Sequence, residues 1–280
     1  MNSKEIVRKI EDFVCLKPRS IQEISEHIGK NWRTADRYVN EISENYGTIS
    51  MRVFRGGTRG ALKIVYWCGI DRAKGGVFQE QLEREIMNGR TKYDFSVFDI
   101  FQHVDSSSKE AWIKEGADES DAGRLVEFKD LLLQAEKQVL FFSGNLSFIN
   151  LDDDVTNVFS VLEDLVREGV SIKVVCRVDI AGKRNVEKLL SLNHKYGKEL
   201  IEIHHREQPL RVMIVDDKFF NMKEIKEPTL RLGELDIKTF IFYTICERDW
   251  VEWISRIFWK MFNGSVDVGV RVREMERIRV

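Results

Sequence analysis

The chain has 280 residues, 43% hydrophobic and 32% charged with only 3 prolines, a composition that gives a folded chain with room for two domains and excludes a disordered or fibrous one. No run of 18 uncharged apolar residues occurs and the N-terminus MNSKEIVRKIEDF is amphipathic, so neither a membrane span nor a secretory leader is expected and a cytoplasmic protein is read. The net charge of −2 hides an asymmetry: residues 1–75 carry 14 Lys and Arg against 9 Asp and Glu, the rest 30 against 37, a basic head on an acidic body that suggests a polyanionic partner for the head.

In chain order, KEIVRKIEDFVC places Ile6, Ile10, Phe13 and Val14 on one helical stripe and ends before Lys17-Pro18. Ser20 with Glu23 three residues on predicts a capping box for a second helix, whose apolar face of Ile21, Ile24 and Ile28 stops at Gly29. Asn31 caps a third helix with Ala35, Val39 and Ile42 inward. ISMRVF and ALKIVYW read as strands joined by the glycine-rich, basic tip RGGTRG. This order predicts a winged helix-turn-helix over residues 1–75.

A helix is expected over 77–92, after which periodicity fades. The polar stretch from about Asp94 to Gly123 reads as a linker or surface excursion, so 76–123 is taken as a connector. From 124 to 280 a helix near Leu125–Lys137 precedes strands and helices in alternation: VLFFSG, helix 155–167, SIKVVCRV, helix 184–196, LIEIHH, LRVMIVDD with KFFNM, TFIFYTI, and the helix DWVEWISRIFWKMF. That pattern predicts an α/β sandwich, helices on both faces of a sheet largely parallel in its first half. The alternating tail VDVGVRVREMERIRV reads as an edge strand or a loose tail. Cys15, Cys68, Cys176 and Cys246 lie far apart without a CxxC pair, which predicts buried free thiols, with no zinc site and no disulfide framework.

In a helix-turn-helix the second helix of the pair enters the major groove. Trp32, Arg33, Arg37 and Asn40 are the base-facing and sugar-facing candidates here, and Lys30 and Thr34 lie where the helix N-terminus meets phosphate. Arg52, Arg55, Arg59 and Lys63 of the wing would flank the duplex, with Gly56, Gly57 and Gly60 allowing close backbone approach. Double-stranded DNA is therefore the expected partner. A protein-binding winged-helix scaffold is the bland alternative.

LRVMIVDDKFF resembles the second half of the HxKxxxxD signature strand of the phospholipase D superfamily, and VLFFSGNLSF, SIKVVCRV and DWVEWISRIFWKMF stand in that family's order, over about residues 125–263. With Asp216 as the motif acid, Arg211 holds the lysine place and Pro209 the histidine place; with Asp217, they are Val212 and Leu210. Without the histidine the nucleophile toward phosphorus is missing, and no second copy of the motif exists, so a non-catalytic domain without cofactor or metal is expected. His204 and His205 stand eleven or more residues before Asp216 and read as strand-end residues; their use in an altered geometry would make the chain a DNA-targeted nuclease or phosphodiesterase. A cleft at the strand ends is expected near Ser143, Asn145, Arg177, Asp179, His205 and Arg211. A winged helix joined to such a domain resembles the TrmB-like transcription regulators, and the resemblance implies a homodimer that senses a small-molecule effector.

Overall fold

The computed structural model describes residues 3–55, 61–68, 76–115, 122–152, 157–228 and 237–277. At the N-terminus, α1 (Ser3–Leu16) leads into β1 (Arg19–Ser20), α2 (Ile21–Ile28), α3 (Trp32–Asn45) and the strands β2 (Ile49–Arg55) and β3 (Ala61–Trp67). The small sheet runs β1-β3-β2 with both pairs antiparallel, which is the connectivity of a winged helix-turn-helix. The local signals act as expected. Ser20 accepts from the Glu23 N–H while the Glu23 carboxylate accepts from the Ser20 N–H, and Gly29 closes α2 at φ 65°, a left-handed conformation that glycine adopts without steric cost. Ile6, Ile10, Ile24, Val39 and Ile42 meet Ile49 and Val65 in a core of the head's own.

The body is α/β: one eight-stranded sheet between two helical layers. Its helices are α4 (Gly76–Asn88), α5 (Phe98–Phe101), α6 (Ala122–Leu132), α7 (Val158–Glu168), α8 (Lys183–Tyr196), α9 (Arg248–Asn263) and α10 (Val268–Arg277). Its strands are β4 (Lys109–Glu115), β5 (Gln138–Ser143), β6 (Ser171–Cys176), β7 (Ile201–His205), β8 (Val212–Val215), β9 (Phe219–Lys226), β10 (Thr239–Ile245) and β11 (Val266–Asp267), ordered β11-β7-β6-β5-β8-β9-β10-β4. β5, β6 and β7 are parallel and every other pairing is antiparallel. Strand residues alternate between faces: Leu140 and Phe142 pack with α9, whereas Val139 and Phe141 pack with α7 and α8.

Three expectations are corrected. The described part of the stretch from Asp94 to Gly123, through Glu115, is not a linker: it supplies α5 and the edge strand β4, whose seven residues pair with Thr239–Ile245. Ala111 and Ile113 pack on an aromatic core while Trp112 and Lys114 alternate to the other face, so half of the strand is polar and the apolar signal is diluted. The tail forms only the two-residue β11 and then α10, where Val268, Val272 and Met275 recur at helical spacing against the α7 and α8 layer. The four cysteines are free, but only Cys176 is buried; Cys15, Cys68 and Cys246 are exposed.

The β2–β3 hairpin stands between head and body. Ile49, Met51, Val65 and Trp67 face the head's core, and Phe54, Leu62, Ile64 and Tyr66 face the body's aromatic core of Phe98, Phe101 and Tyr243. The buried Asp99 lies in α5 at this aromatic core. Burial pushes its carboxyl up to about 7, Glu224 and Glu85 adding to the rise and Lys17 and Lys226 opposing it. The unfolded carboxyl ionises near 4, so this group's stability contribution is full below that pH and is lost as pH rises through 7. Asp99→Asn is expected to raise the unfolding free energy at pH ~8 by on the order of 3 kcal/mol. In urea titrations across pH, that gain shrinks toward zero near pH 4.

Candidate nucleic-acid interface and ligand cavity

The turn between α2 and α3 is held by the Lys30 N–H donating to the Ser25 carbonyl (2.9 Å) and by the Asn31 side chain accepting from the Thr34 N–H (2.9 Å). Inward Ala35, Val39 and Ile42 then fix which residues of α3 face out. Lys30, Arg33 and Arg37 are exposed, and Thr34 and Asn40 are half-buried. Arg37 meets Glu41 one turn on at 3.6 Å, an exposed pair of small energetic weight that a phosphate can replace. Trp32 is half-buried against the head's core.

Two of the wing's cations make contacts within the chain. Lys63 pairs with Asp36 (2.7 and 2.9 Å) and its ammonium sits 4.9 Å from the centre of the Trp32 ring, so it ties β3 to α3. The Arg52 guanidinium lies over Phe101 (4.8 Å) and Phe54 (5.6 Å) and faces the body. The alternation that sends Phe54 into the body sends Arg52 with it. Arg55 ends β2, and Arg59 with Gly56, Gly57 and Gly60 lies outside the described residues.

In the body, a cavity of about 530 Å³ opens over the antiparallel half of the sheet. Of the six residues expected near a cleft, Ser143, Asn145, Arg177 and Arg211 line it, whereas Asp179 and His205 do not. The Asp179 carboxylate accepts from the Gly182 N–H (2.8 Å) and pairs with Arg177 (2.8 Å), which shapes the turn before α8. His205 accepts at Nδ1 from the Val178 N–H (2.9 Å), and burial, then Arg271, holds its pKa below the usual imidazole value. His204 stacks on Phe262 at 3.8 Å with its Nδ1 2.7 Å from the Phe262 carbonyl. His205 thus braces the loop after β6, and His204 packs on the C-terminal turn of α9.

The cavity's rim is built around Arg211. Gly144 packs so closely beneath its guanidinium that a Cβ there would lie 2.7 Å from Nη2. The guanidinium donates to the Leu210 carbonyl (2.6 Å). Buried Gln208 donates to the Ser143 carbonyl (2.9 Å) and accepts from the Leu210 N–H (2.6 Å), joining the two loops. Pro209, in the histidine place, is buried with its ring against Gly89, and Leu210 and Val212 are in the aromatic core. Asp216 is at the far end of β8, where its carboxylate accepts from the N–H groups of Glu136, Lys137 and Gln138 at 2.8–3.0 Å. It caps a turn and does not face the cavity.

Sequence reading missed Lys114, Arg206, Lys223, Phe240 and Phe242 in the cavity's lining. A usable signal was the period-two run KEAWIKE, which places Trp112 and Lys114 on one face.

Fold and site together define an α/β chain with a helix-turn-helix head and a cationic cavity in its body. No family model matches the sequence, and no curated protein does. Among solved structures the chain is similar to Nuc, a phospholipase D family member from Salmonella typhimurium, at 13% identity, covering 56% of this chain and 98% of that one (TM-score 0.40). It is also similar to TrmBL2, an archaeal chromatin protein described as showing a novel mode of DNA binding, at 11% identity over 94% of both chains (TM-score 0.41). NucT from Helicobacter pylori is similar at 9% identity, covering 57% of this chain and 99% of that one (TM-score 0.40). Among the described residues no helix is long and apolar enough to cross a membrane.

Proposed function

We propose that the protein is a DNA-binding transcription regulator of TrmB-like organisation, whose α3 enters the major groove and whose body holds an effector. The observation that carries this reading is the outward set of Lys30, in the turn before α3, and Arg33 and Arg37, exposed on that capped helix, which the head's own core holds in place. Asn40, at the half-buried margin of the same helix, supplies an amide of the kind that pairs with adenine. The reading includes a homodimer, which would set two α3 helices about one turn of DNA apart. The phosphate contacts of this reading come from α3 and the turn before it, since Arg52 lies over Phe101 and Lys63 pairs with Asp36.

Fluorescence anisotropy with labelled duplexes selected in vitro from genomic fragments tests this. The Arg33→Ala, Arg37→Ala double variant is expected to bind at least roughly tenfold more weakly, and its plot of log affinity against log salt to lose about two units of slope. Arg52→Ala is expected to leave that slope unchanged. Affinity insensitive to salt, or equal in the double variant, overturns the reading.

A further inference from the structure

We infer that the protein pairs with a second copy of itself along β4, edge to edge and antiparallel, with Trp112 on the two-fold axis. This deepens the regulator reading by assigning an interface to its homodimer. The ladder between β4 and β10 fixes which backbone groups are in use. The Cys246 N–H donates to the Ser108 carbonyl at 2.9 Å, and Ile245 stands opposite Lys109. Glu110, Trp112 and Lys114 therefore turn their N–H and C=O groups toward β10, and Lys109, Ala111, Ile113 and Glu115 turn theirs outward. Among the described residues the outward groups of Ala111 and Ile113 have no hydrogen-bond partner. The opposite edge of the sheet is closed. There the Asn193 side chain accepts from the Ile201 N–H (2.9 Å) and donates to the Ile201 carbonyl (2.8 Å), and β11 pairs with His204 and His205. With one edge so capped, the open β4 is the template left for another strand.

The sequence of β4 suits its own copy. Laid antiparallel about Trp112, the strand sets Lys109 opposite Glu115, Glu110 opposite Lys114, Ala111 opposite Ile113 and Trp112 opposite Trp112. A slip of one residue would oppose outward backbone groups with inward ones, and a slip of two would leave no charged position opposite its complement. Lys109 and Lys114 already hold contacts within the chain, Lys109 through its ammonium on the Phe101 carbonyl (2.7 Å). The charges therefore choose the register, while the backbone and the apolar pairs hold it. Ala111, Trp112 and Ile113 are half-buried in the single chain, and Trp112 stacks on Phe242 at 3.9 Å, which fixes an aromatic face at the axis. The hairpin approaches β4 at its Lys109 end, where Arg52 shares the Phe101 ring, and no hydrogen bond joins β2 to β4 among the described residues. Residues opposite one another across such a pair share a face. The product is one sheet of sixteen strands, twice the eight of one copy. Both hairpins pack on the face that carries Ala111 and Ile113, so both heads stand on the same side of that sheet, as a single duplex would require.

Sedimentation equilibrium of the full chain tests this, with circular dichroism confirming that each variant is folded. The wild type is expected to weigh twice the 32.8 kDa of one chain at micromolar concentration. Ala111→Pro removes an outward N–H that the ladder with β10 does not use, and is expected to weaken the dimer at least about tenfold. Glu110→Lys, at an exposed position, sets a lysine opposite Lys114 and is expected to weaken it likewise; it carries the test if the proline variant does not fold. In a chain whose exposed Cys15, Cys68 and Cys246 are changed to Ser, Trp112→Cys is expected to cross-link on oxidation. Glu110→Cys in the same background, with its counterpart far across the axis, is expected to stay uncross-linked. A monomer, a dimer indifferent to both variants, or cross-linking at position 110 but not at 112 overturns the inference. A dimer built on β4 without duplex binding overturns the regulator reading alone, and duplex binding by a monomeric chain overturns only this one.

Discussion

Phe98→Ala is expected to lower the unfolding free energy by about 3–5 kcal/mol, the cost of emptying the centre of the aromatic cluster that joins hairpin to sheet. Phe98 is 1% exposed, and four rings surround it: Tyr66 (5.5 Å), Phe101 (5.8 Å), Phe54 (6.2 Å, edge-on) and Tyr243 (6.5 Å). Those partners come from β2, β3, α5 and β10, so the void opens between elements that cannot collapse into it together. Phe98→Leu keeps most of the volume and is expected to cost less than half as much. Urea unfolding followed by circular dichroism gives both values; a loss under about 1 kcal/mol for the alanine variant would mean that the cluster repacks.

Asp216→Ala is expected to be comparably severe, roughly 3–5 kcal/mol, since it strips one charged acceptor from three backbone donors at once. Burial pushes the Asp216 carboxyl up, but the N–H groups of Gln138, Glu136 and Lys137, with Lys218, more than reverse it and hold the pKa below the ordinary value. A carboxyl depressed on folding contributes stability that is present above the unfolded value near 4 and is lost as pH falls through the folded one. The deficit of the alanine variant should therefore be full at neutral pH and narrow only in strong acid. Asp216 also has φ 49°, a conformation that Asp and Asn tolerate better than Ala. Asp216→Asn keeps the backbone and one acceptor oxygen, so a smaller loss in chemical denaturation separates the two causes. Equal losses in both variants would sink the capping account.

Much of the fold was legible in the sequence because its signals are local. The capping box at Ser20, the caps at Gly29 and Asn31, and the apolar runs of β5, β6 and β8 each fit in a window of ten residues or fewer. β4 was not, because its partner lies more than a hundred residues away on β10 and its cavity face carries Lys and Trp in place of apolar residues. α10 was hidden by Val266, Val268 and Val270, whose alternation imitates a strand while Val268, Val272 and Met275 hold the helical stripe.

The candidate site divides along the same line. Which residues of α3 face outward follows from helical period alone, and Arg33 and Arg37 emerge as read. The roles of Arg52 and Lys63 turn on what the other side of the hairpin touches, which no period in β2 or β3 encodes. In the body, Arg211 and Ser143 were found through their places at strand ends, while Lys114 and Lys223 reach the cavity only through the strand order.

The hairpin with one side in each core has a thermodynamic meaning. A fragment ending at Cys68 would carry Leu62, Ile64 and Tyr66 into water as a bare apolar sheet, and the remainder would lose the cover over Phe98 and Tyr243. Modular as it reads along the chain, the molecule is expected to unfold as one cooperative unit, because β2 and β3 contribute side chains to both cores.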